Sequence, residues 1–365
     1  MTYPSGDNPI ICTCFDIHQN AVEAAITQGH DDFRKLREVL GVAGDCGNCH
    51  RPINKLLKAH RIMNAPTKET PLRRRFPMPW QHMSAAKLEQ EYSPSSCVDD
   101  IMVYLNDYTN YSKKAQNNLS YQSNLAYSDT MGEVLDYFPA ATGGPLVVYI
   151  HGGYWQKLSK DDSCLMAPGA LEQGINLAVI DYTLAPEATI NHMIAQCCRA
   201  IAWLITQSQK LGFDCSKVII AGSSAGGHLC ASVLQAAQQS LHGLSPQAIS
   251  GAVLLSGVYD LRPLVNTYIN EPLNLTTQSA TELSPGLYSN QGLPPCILAY
   301  GSNETQEFKR QSEEYHQQLL SDGVKSQCFE VAGRNHFDIV FDLAIKSASV
   351  NQHLHYLITQ LNTQD

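Results

Sequence analysis

Short apolar runs alternate with helical segments from about Met83 onward, and this alternation constrains the fold most strongly. The runs that have the length and composition of buried strands are residues 145–150, 176–182, 217–224, 250–257, 295–302 and 326–332. The helical stretches between them include residues 190–210, 226–239 and 306–320. Repetition of strand, helix and strand predicts an α/β fold, in which helices cover both faces of a mostly parallel sheet.

A proline-rich basic stretch separates this region from the N-terminus. Residues 60–82, HRIMNAPTKETPLRRRFPMPWQH, interrupt helical periodicity and offer little apolar surface for a core. We therefore predict a first domain over residues 1–59, a linker over residues 60–82 and a second domain over residues 83–365. Within the first domain, residues 19–41 read as one strongly helical segment.

Charge and hydropathy argue against a nucleic-acid-binding protein and against a membrane protein. The net charge of −9 argues against nucleic-acid binding, and the one basic run lies in the predicted linker. We find neither a secretory signal nor a run of 18 apolar residues, so we expect no membrane association and a cytoplasmic location. In a reducing compartment, paired cysteines more often hold metal than form disulfides.

Four of the twelve cysteines form two tight pairs near the N-terminus: Cys12 with Cys14, and Cys46 with Cys49. Unrelated core thiols are the alternative interpretation. Each tight pair places two thiols close together, as a multidentate soft-metal site requires, so metal binding is the favoured hypothesis. Four thiolates suit zinc or an iron–sulfur cluster, and the spacing leaves both open.

The sequence Gly222-Ser223-Ser224-Ala225-Gly226 lies between a predicted buried strand and a predicted helix. This is the G-x-S-x-G pattern in the strand–turn–helix setting where it presents a nucleophilic serine. A glycine-rich turn with a capping serine is the alternative. The pattern makes Ser224 the candidate nucleophile.

Two further motifs occur in the chain order that a serine hydrolase requires. His151-Gly152-Gly153 follows an earlier strand and is typical of an oxyanion loop, whose backbone N–H groups would act with that of Ala225. His336 follows the last predicted strand, where the general base is expected.

The acid of the triad is expected in the loop after the penultimate strand, where Glu304 is the first carboxylate. Asp260, after the preceding strand, is the rival candidate. Asp338 lies too near His336 in sequence to orient its ring comfortably. The strand–loop order favours Glu304, whose role would be to hold the imidazole tautomer and stabilise the imidazolium.

The motifs HGGYW, GSSAGG, SGVYDLRPL, EFKRQS and NHFDIV, with MSAAKLEQEYSPS before them, resemble the kynurenine formamidase (arylformamidase) family over nearly all of residues 83–360. The resemblance implies an α/β-hydrolase fold that needs no cofactor. It also implies hydrolysis of N-formyl-L-kynurenine to L-kynurenine and formate, in tryptophan degradation. The family usually carries aspartate where this chain has Glu304.

The formamidase chemistry suits these residues. Ser224 would attack the formyl carbon, and His336 would protonate the departing aniline nitrogen. Because formyl is the smallest acyl group, the bulky Tyr154 and Trp155 fit beside the oxyanion loop and would stack on the aniline ring as a substrate pocket. For Trp155, ordinary core packing is an equal alternative.

Residues 10–60 resemble the bacterioferritin-associated ferredoxin family, a small helical [2Fe-2S] module. The resemblance implies a [2Fe-2S] cluster held by Cys12, Cys14, Cys46 and Cys49. His50 is then a helix residue and not a ligand. Since serine hydrolysis moves no electrons, one hypothesis is that the module senses redox state or iron supply, or docks to a redox partner protein.

Three interpretations of function follow. The favoured one is an arylformamidase with an accessory iron–sulfur domain. The second is a broad-specificity carboxylesterase or amidase that takes other small formamide or ester substrates. The third is an electron-transfer or redox-sensing protein that uses the hydrolase fold as a scaffold. The sequence leaves the oligomeric state open.

Overall fold

A computed structural model describes residues 10–28, 30, 32–42, 49–64, 80–140 and 142–361. The chain divides into two compact units, Met1–Arg75 and Phe76–Asp365. A helix over His50–Asn64 continues into the start of the predicted linker. Most of the predicted linker, residues 65–79, lies outside the described residues.

The first unit is small and mainly helical. Its elements are β1 (Ile10–Cys12), β2 (Ile17–His18), α1 (Gln19–Thr27), α2 (Phe33–Leu40) and α3 (His50–Asn64). The prediction of one helical segment over residues 19–41 is wrong, because two helices occupy it. The Asp32 carboxylate accepts the backbone N–H of Lys35 at 2.9 Å and thereby starts α2 as a separate helix. Gly41, at φ 70°, ends it.

The second unit is built on one eight-stranded sheet. Its strands are β3 (Gln122–Ala126), β4 (Val134–Phe138), β5 (Gly144–Ile150), β6 (Asn176–Ile180), β7 (Phe213–Ser223), β8 (Gly251–Leu255), β9 (Cys296–Asn303) and β10 (Ser326–Asn335). The order across the sheet is β10-β9-β8-β7-β5-β6-β4-β3. All six predicted strands are present and mutually parallel, whereas β3 and β4 add an antiparallel edge.

Helices cover both faces of this sheet, which confirms the predicted α/β fold. They are α4 (Ala85–Glu91), α5 (Ile101–Asn118), α6 (Ala167–Glu172), α7 (Ile190–Thr206), α8 (Ser208–Leu211), α9 (Ala225–Gln238), α10 (Asn270–Leu273), α11 (Thr277–Glu282), α12 (Gln306–Ser321) and α13 (Ser349–Leu361). Short 3₁₀ turns lie at Trp80–His82, Pro94–Cys97, Lys160–Asp162, Arg262–Asn266, Pro285–Leu287 and Ile339–Leu343. Among the described residues, no helix is both long and apolar enough to span a bilayer.

Alternate side chains of β5 show how the two layers are held. Leu146 and Val148 enter the apolar core that α7, α9 and α12 cover. Val147 and Tyr149 enter the opposite core, under α6 and α13. This period of two places an apolar side chain on each face in turn, which is why the strand reads as a continuous apolar run.

The strand order reverses at β5, which lies between β6 and β7. Because β5 and β7 are parallel, the loops that follow them leave the sheet at the same edge. In open α/β sheets such a switch point forms a crevice at the carboxyl ends of the strands. The His-Gly-Gly loop and the Ser224 turn therefore meet there.

Candidate active site

Ser224 occupies a strained turn between β7 and α9. Its φ of 57° and ψ of −121° are unusual for a residue with a side chain. A Cβ on Gly222 would lie 2.4 Å from the carbonyl oxygen of Gly226, and a Cβ on Gly226 only 2.0 Å from that of Ile150. Only glycine fits at these two positions, so the turn stays tight and Ser224 is held at its apex.

The oxyanion loop touches this turn. A Cβ on Gly152 would lie 2.6 Å from the carbonyl oxygen of Ser223 and 3.3 Å from the Cβ of Ser224. Gly153 follows with a φ of 96°, which favours glycine. The backbone of the loop therefore packs directly against the serine turn.

The carbonyl groups of the oxyanion loop all have internal donors. The phenol of Tyr182 donates to the carbonyl of His151 at 2.8 Å. Nδ1 of His151 donates to the carbonyl of Gly152 at 2.9 Å, and two backbone N–H groups one turn later donate to the carbonyl of Gly153. In a trans peptide the N–H points opposite to the carbonyl, so the N–H groups of Gly152, Gly153 and Tyr154 point away from these donors.

Glu304 and His336 form a buried pair. Nδ1 of His336 donates to Oε2 of Glu304 at 2.9 Å, and the two side chains are 5% and 0% exposed. The other carboxylate oxygen accepts the Ser256 hydroxyl at 2.6 Å and the Gly301 N–H at 2.5 Å. Since the carboxylate fixes the proton on Nδ1, Nε2 remains as the basic atom of the ring.

Strand β8 anchors both the serine and the acid. The N–H of Ser224 donates to the carbonyl of Leu255 at 2.8 Å, and the next residue, Ser256, holds Glu304. The Phe308 ring lies against that of His336, with centroids 4.4 Å apart. Leu255 and Ser256, at the end of β8, therefore connect the Ser224 turn to the Glu304–His336 pair.

The rival carboxylates have other partners. Asp260 binds Nε and Nη2 of Arg262 through its two oxygens, at 2.9 and 2.8 Å. Asp338 accepts the backbone N–H of Asn335 at 2.7 Å. The structure therefore brings Glu304, rather than Asp260 or Asp338, to the ring of His336. Sequence reasoning missed Ser256, which lies at the start of the SGVYDLRPL motif.

Tyr154 and Trp155 differ in burial. Trp155 is 0% exposed and packs edge-to-face on His228, with ring centroids 5.0 Å apart. This burial is the arrangement that the alternative of core packing describes. Tyr154 is partly exposed, and its hydroxyl donates to the carbonyl of Tyr92 at 2.6 Å.

The first unit gathers part of the predicted cluster ligand set. Cys12 and Cys49 are 1% and 3% exposed and line the same small apolar core, whereas Cys14 is exposed. Cys46 lies outside the described residues. Among the residues that are described, no three His, Cys, Asp or Glu side chains are arranged to hold a metal ion. The two buried thiols fit a soft-metal donor set, which Cys14 and Cys46 would complete.

His50 is the first residue of α3, and its Nδ1 lies 2.9 Å from the Nδ2 of Asn54 one turn later. Its ring also lies against that of Phe33, with centroids 4.3 Å apart. The prediction that His50 is a helix residue is confirmed.

Proteins of similar sequence identify the family to which the chain belongs. Residues 136–319 match the BD-FAE family model. The chain is 34% identical to kynurenine formamidase of Danio rerio over 296 residues, 77% of this chain and 96% of that protein. It is also 34% identical to kynurenine formamidase of Salmo salar, over 72% of this chain and 93% of that protein.

A thermostable carboxylesterase from a metagenomic library has the same fold, with a TM-score of 0.60 at 18% identity over 77% of this chain and 97% of that one. The protein is thus an α/β-hydrolase enzyme, which excludes the interpretation of the fold as a mere scaffold. The chain belongs to the kynurenine formamidase family. Residues 10–59 match the BFD-like [2Fe-2S] binding domain, so an iron–sulfur domain precedes the enzyme.

Proposed function

We propose that the protein hydrolyses the formamide bond of N-formyl-L-kynurenine, giving L-kynurenine and formate. The observation that carries this proposal is the buried Glu304–His336 pair, at 2.9 Å, which Ser256 and Leu255 connect to the strained serine turn. The family relatives supply the substrate. The geometry supplies a nucleophile, a base with a fixed tautomer and a loop with outward N–H groups.

In the first step, Nε2 of His336 takes the proton of the Ser224 hydroxyl, whose oxygen attacks the formyl carbon. Glu304 stabilises the imidazolium that forms. The carbonyl oxygen becomes an oxyanion and accepts N–H groups from Gly152, Gly153 and Ala225. Each such donor contributes about 3–4 kcal/mol to the stability of the transition state.

In the second step, the imidazolium of His336 gives its proton to the aniline nitrogen, and the C–N bond breaks to release L-kynurenine. Water then attacks the formyl ester on Ser224, with His336 again as base, and formate leaves. The Tyr154 hydroxyl is already bound to a backbone carbonyl, so its ring face is what remains for contact with substrate.

The esterase-like fold favours one alternative, a carboxylesterase that accepts many small acyl groups. The kcat/KM values for N-formyl-L-kynurenine and p-nitrophenyl acetate separate the two. We expect the formamide to be preferred by at least about tenfold, and Ser224→Ala to lose both activities. A preference for the ester would contradict the formamidase assignment while leaving the hydrolase intact.

For the first unit we infer that Cys12, Cys14, Cys46 and Cys49 hold a [2Fe-2S] cluster. The shared burial of Cys12 and Cys49 and the family match support this. Such a cluster supplies one-electron chemistry that formamide hydrolysis does not use. Anaerobically purified protein should be brown and contain two irons per chain, whereas a colourless zinc protein would contradict the cluster.

A role of the cluster in sensing is tested separately. The variant Cys46→Ser/Cys49→Ser and the unmodified protein are assayed for hydrolysis under oxidising and reducing conditions. If the module senses redox state, kcat/KM of the unmodified protein changes with the conditions and that of the variant does not. Equal activity in all four assays would contradict sensing.

A further inference from the structure

The end of α4 is buried although most of the helix is exposed. Within α4 only Leu88 and Glu91 are buried, and Tyr92, which ends the helix, is 0% exposed. A glutamate with 6% exposure on an otherwise solvated helix needs local partners, because burial of an unpaired carboxylate is costly. The Glu91 carboxylate is paired with Nζ of Lys87, one turn earlier in α4, at 2.7 Å. The other contacts of residues 91–92 lie on the oxyanion loop, on the loop of Glu304 and on α12.

The first connection runs to the oxyanion loop. The hydroxyl of Tyr154 donates to the backbone carbonyl of Tyr92 at 2.6 Å. Tyr154 directly follows Gly153 and has a φ of 53°, so its backbone belongs to the same tight loop. A shift of Tyr92 would therefore pull on the loop that carries the proposed oxyanion donors.

The second connection runs to the loop of the acid. Thr305, the residue after Glu304, donates its hydroxyl to the carbonyl of Glu91 at 2.6 Å. The Glu91 carboxylate accepts the N–H of Glu307 at 3.1 Å. Helix α12 is thus capped by a side chain of α4 instead of its own Thr305, and a carboxylate at a helix N-terminus is favourable.

The third connection reaches the same helix through the Tyr92 side chain. Its hydroxyl donates to the Glu307 carboxylate at 2.7 Å and accepts from Gln311 at 2.9 Å. The Tyr92 ring also neighbours Phe308, with centroids 6.3 Å apart, and Phe308 lies against His336. Burial raises the pKa of Tyr92 well above its usual range, so the phenol stays a neutral donor.

We propose that residues 91–92 act as a clamp that fixes the oxyanion loop relative to the Glu304–His336 pair. Tyr154 and Thr305 are its positioning residues on the two sides. The clamp rests on the proposed roles of Ser224 and His336. It acts because the oxyanion donors and the base belong to different elements of the chain, and displacement of a reacting group by about 1 Å lowers a rate by about 100-fold.

The test removes one hydroxyl from each side of the clamp and one from elsewhere. Tyr154→Phe and Thr305→Val break the two links to α4. The matched control is Tyr137→Phe. Tyr137 lies on β4, and its buried hydroxyl donates to the carbonyl of Leu211 at 3.0 Å. The readouts are kcat and KM for p-nitrophenyl acetate, the rate at which a fluorophosphonate labels Ser224, and the urea-unfolding free energy.

We expect Tyr154→Phe and Thr305→Val each to lower kcat and the labelling rate by about tenfold, with KM changed less than about twofold. Thr305→Ser, which keeps the hydroxyl, should restore both rates. Tyr137→Phe should lose comparable stability with unchanged rates. The double variant Tyr154→Phe/Thr305→Val should fall by less than the product of the two single effects, because either change alone releases the clamp.

The clamp is overturned if the rates of Tyr154→Phe stay within about twofold of those of Tyr137→Phe. It is equally overturned if the two single effects multiply in the double variant. None of these readouts uses N-formyl-L-kynurenine, so an error in the proposed substrate leaves this test valid. An error in the proposed nucleophile would instead show as Ser224→Ala retaining activity.

Discussion

His336 and His228 are both buried histidines next to the Ser224 turn or its helix, but their surroundings differ. His336 directs Nδ1 to the Glu304 carboxylate at 2.9 Å. His228, in the first turn of α9, has its Nε2 2.7 Å from the backbone carbonyl of Leu283, and its Nδ1 lacks a hydrogen-bond partner. Each ring also packs edge-on against an aromatic side chain, Phe308 in one case and Trp155 in the other.

This difference indicates that the hydrogen-bond partner of a buried histidine, and not burial alone, determines whether its ring is suited to act as a base. Without a nearby carboxylate, burial lowers the pKa of His228 to about 4, so this ring stays neutral at physiological pH. His336 has a carboxylate partner, which in the proposed mechanism stabilises the proton that the ring gains. Three predictions test this contrast, in order of decreasing effect on hydrolysis.

The largest effect is expected from Glu304→Gln. The Gln amide can donate a hydrogen bond to Nδ1 of His336. The ring can then adopt the other tautomer, in which the proton is on Nε2, the nitrogen that should act as base. By analogy with other triads, kcat should fall about 10³- to 10⁴-fold. Measured kcat and KM for the preferred substrate check this. A loss of less than about tenfold would mean that another carboxylate serves the ring.

A small effect is expected from Asp260→Asn. Asp260 binds Arg262 and not His336, so kcat should stay within about threefold of the unmodified protein. The unfolding free energy should fall by about 1 kcal/mol, because one charged pair is lost from a partly exposed site. The same kinetic assay as for Glu304→Gln gives the comparison. A collapse of kcat in this variant instead would reverse the assignment of the acid.

The smallest effect on hydrolysis, and a distinct effect on stability, is expected from His228→Gln. The pKa of His228 is about 4 in the folded chain and near 6.5 when unfolded, so below pH 6.5 the unfolded chain takes up a proton that the folded chain does not. Stability therefore falls as pH drops through this window, by about 2 kcal/mol between pH 6.5 and 5 for this group.

Urea unfolding of both proteins between pH 7 and pH 5 measures this difference. The variant should lose about 2 kcal/mol less than the unmodified protein over that range. Some slope remains, since burial also lowers the pKa of His316 to about 4. Identical slopes in the two proteins would mean that His228 is protonated in the folded state.

Sequence alone predicts the parallel part of the sheet well, because strands buried on both faces are continuous apolar runs. It misses β3 and β4. The first is a polar edge strand, QSNLA, and the second carries the buried Asp136, whose charge is offset by Lys160 from a distant loop. Neither feature has a signal of its own in the local pattern, since the compensating partner lies elsewhere in the chain.

The candidate site divides in the same way. The Ser224 turn and the oxyanion loop are local motifs, so their glycines can be read from the sequence. The choice of Glu304 over Asp260 depends on which carboxylate the fold brings to His336. Trp155 was open to two interpretations because an aromatic residue in a loop carries no sign of whether its ring faces the core. Long-range packing decides both questions.

Fluorophosphonate labelling followed by mass spectrometry tests whether Ser224 is the nucleophile and His336 its base. We expect a single adduct, on Ser224, which forms rapidly in the unmodified protein and at least about 100-fold more slowly in His336→Ala. An adduct on another residue, or equal labelling rates in the two proteins, would contradict it.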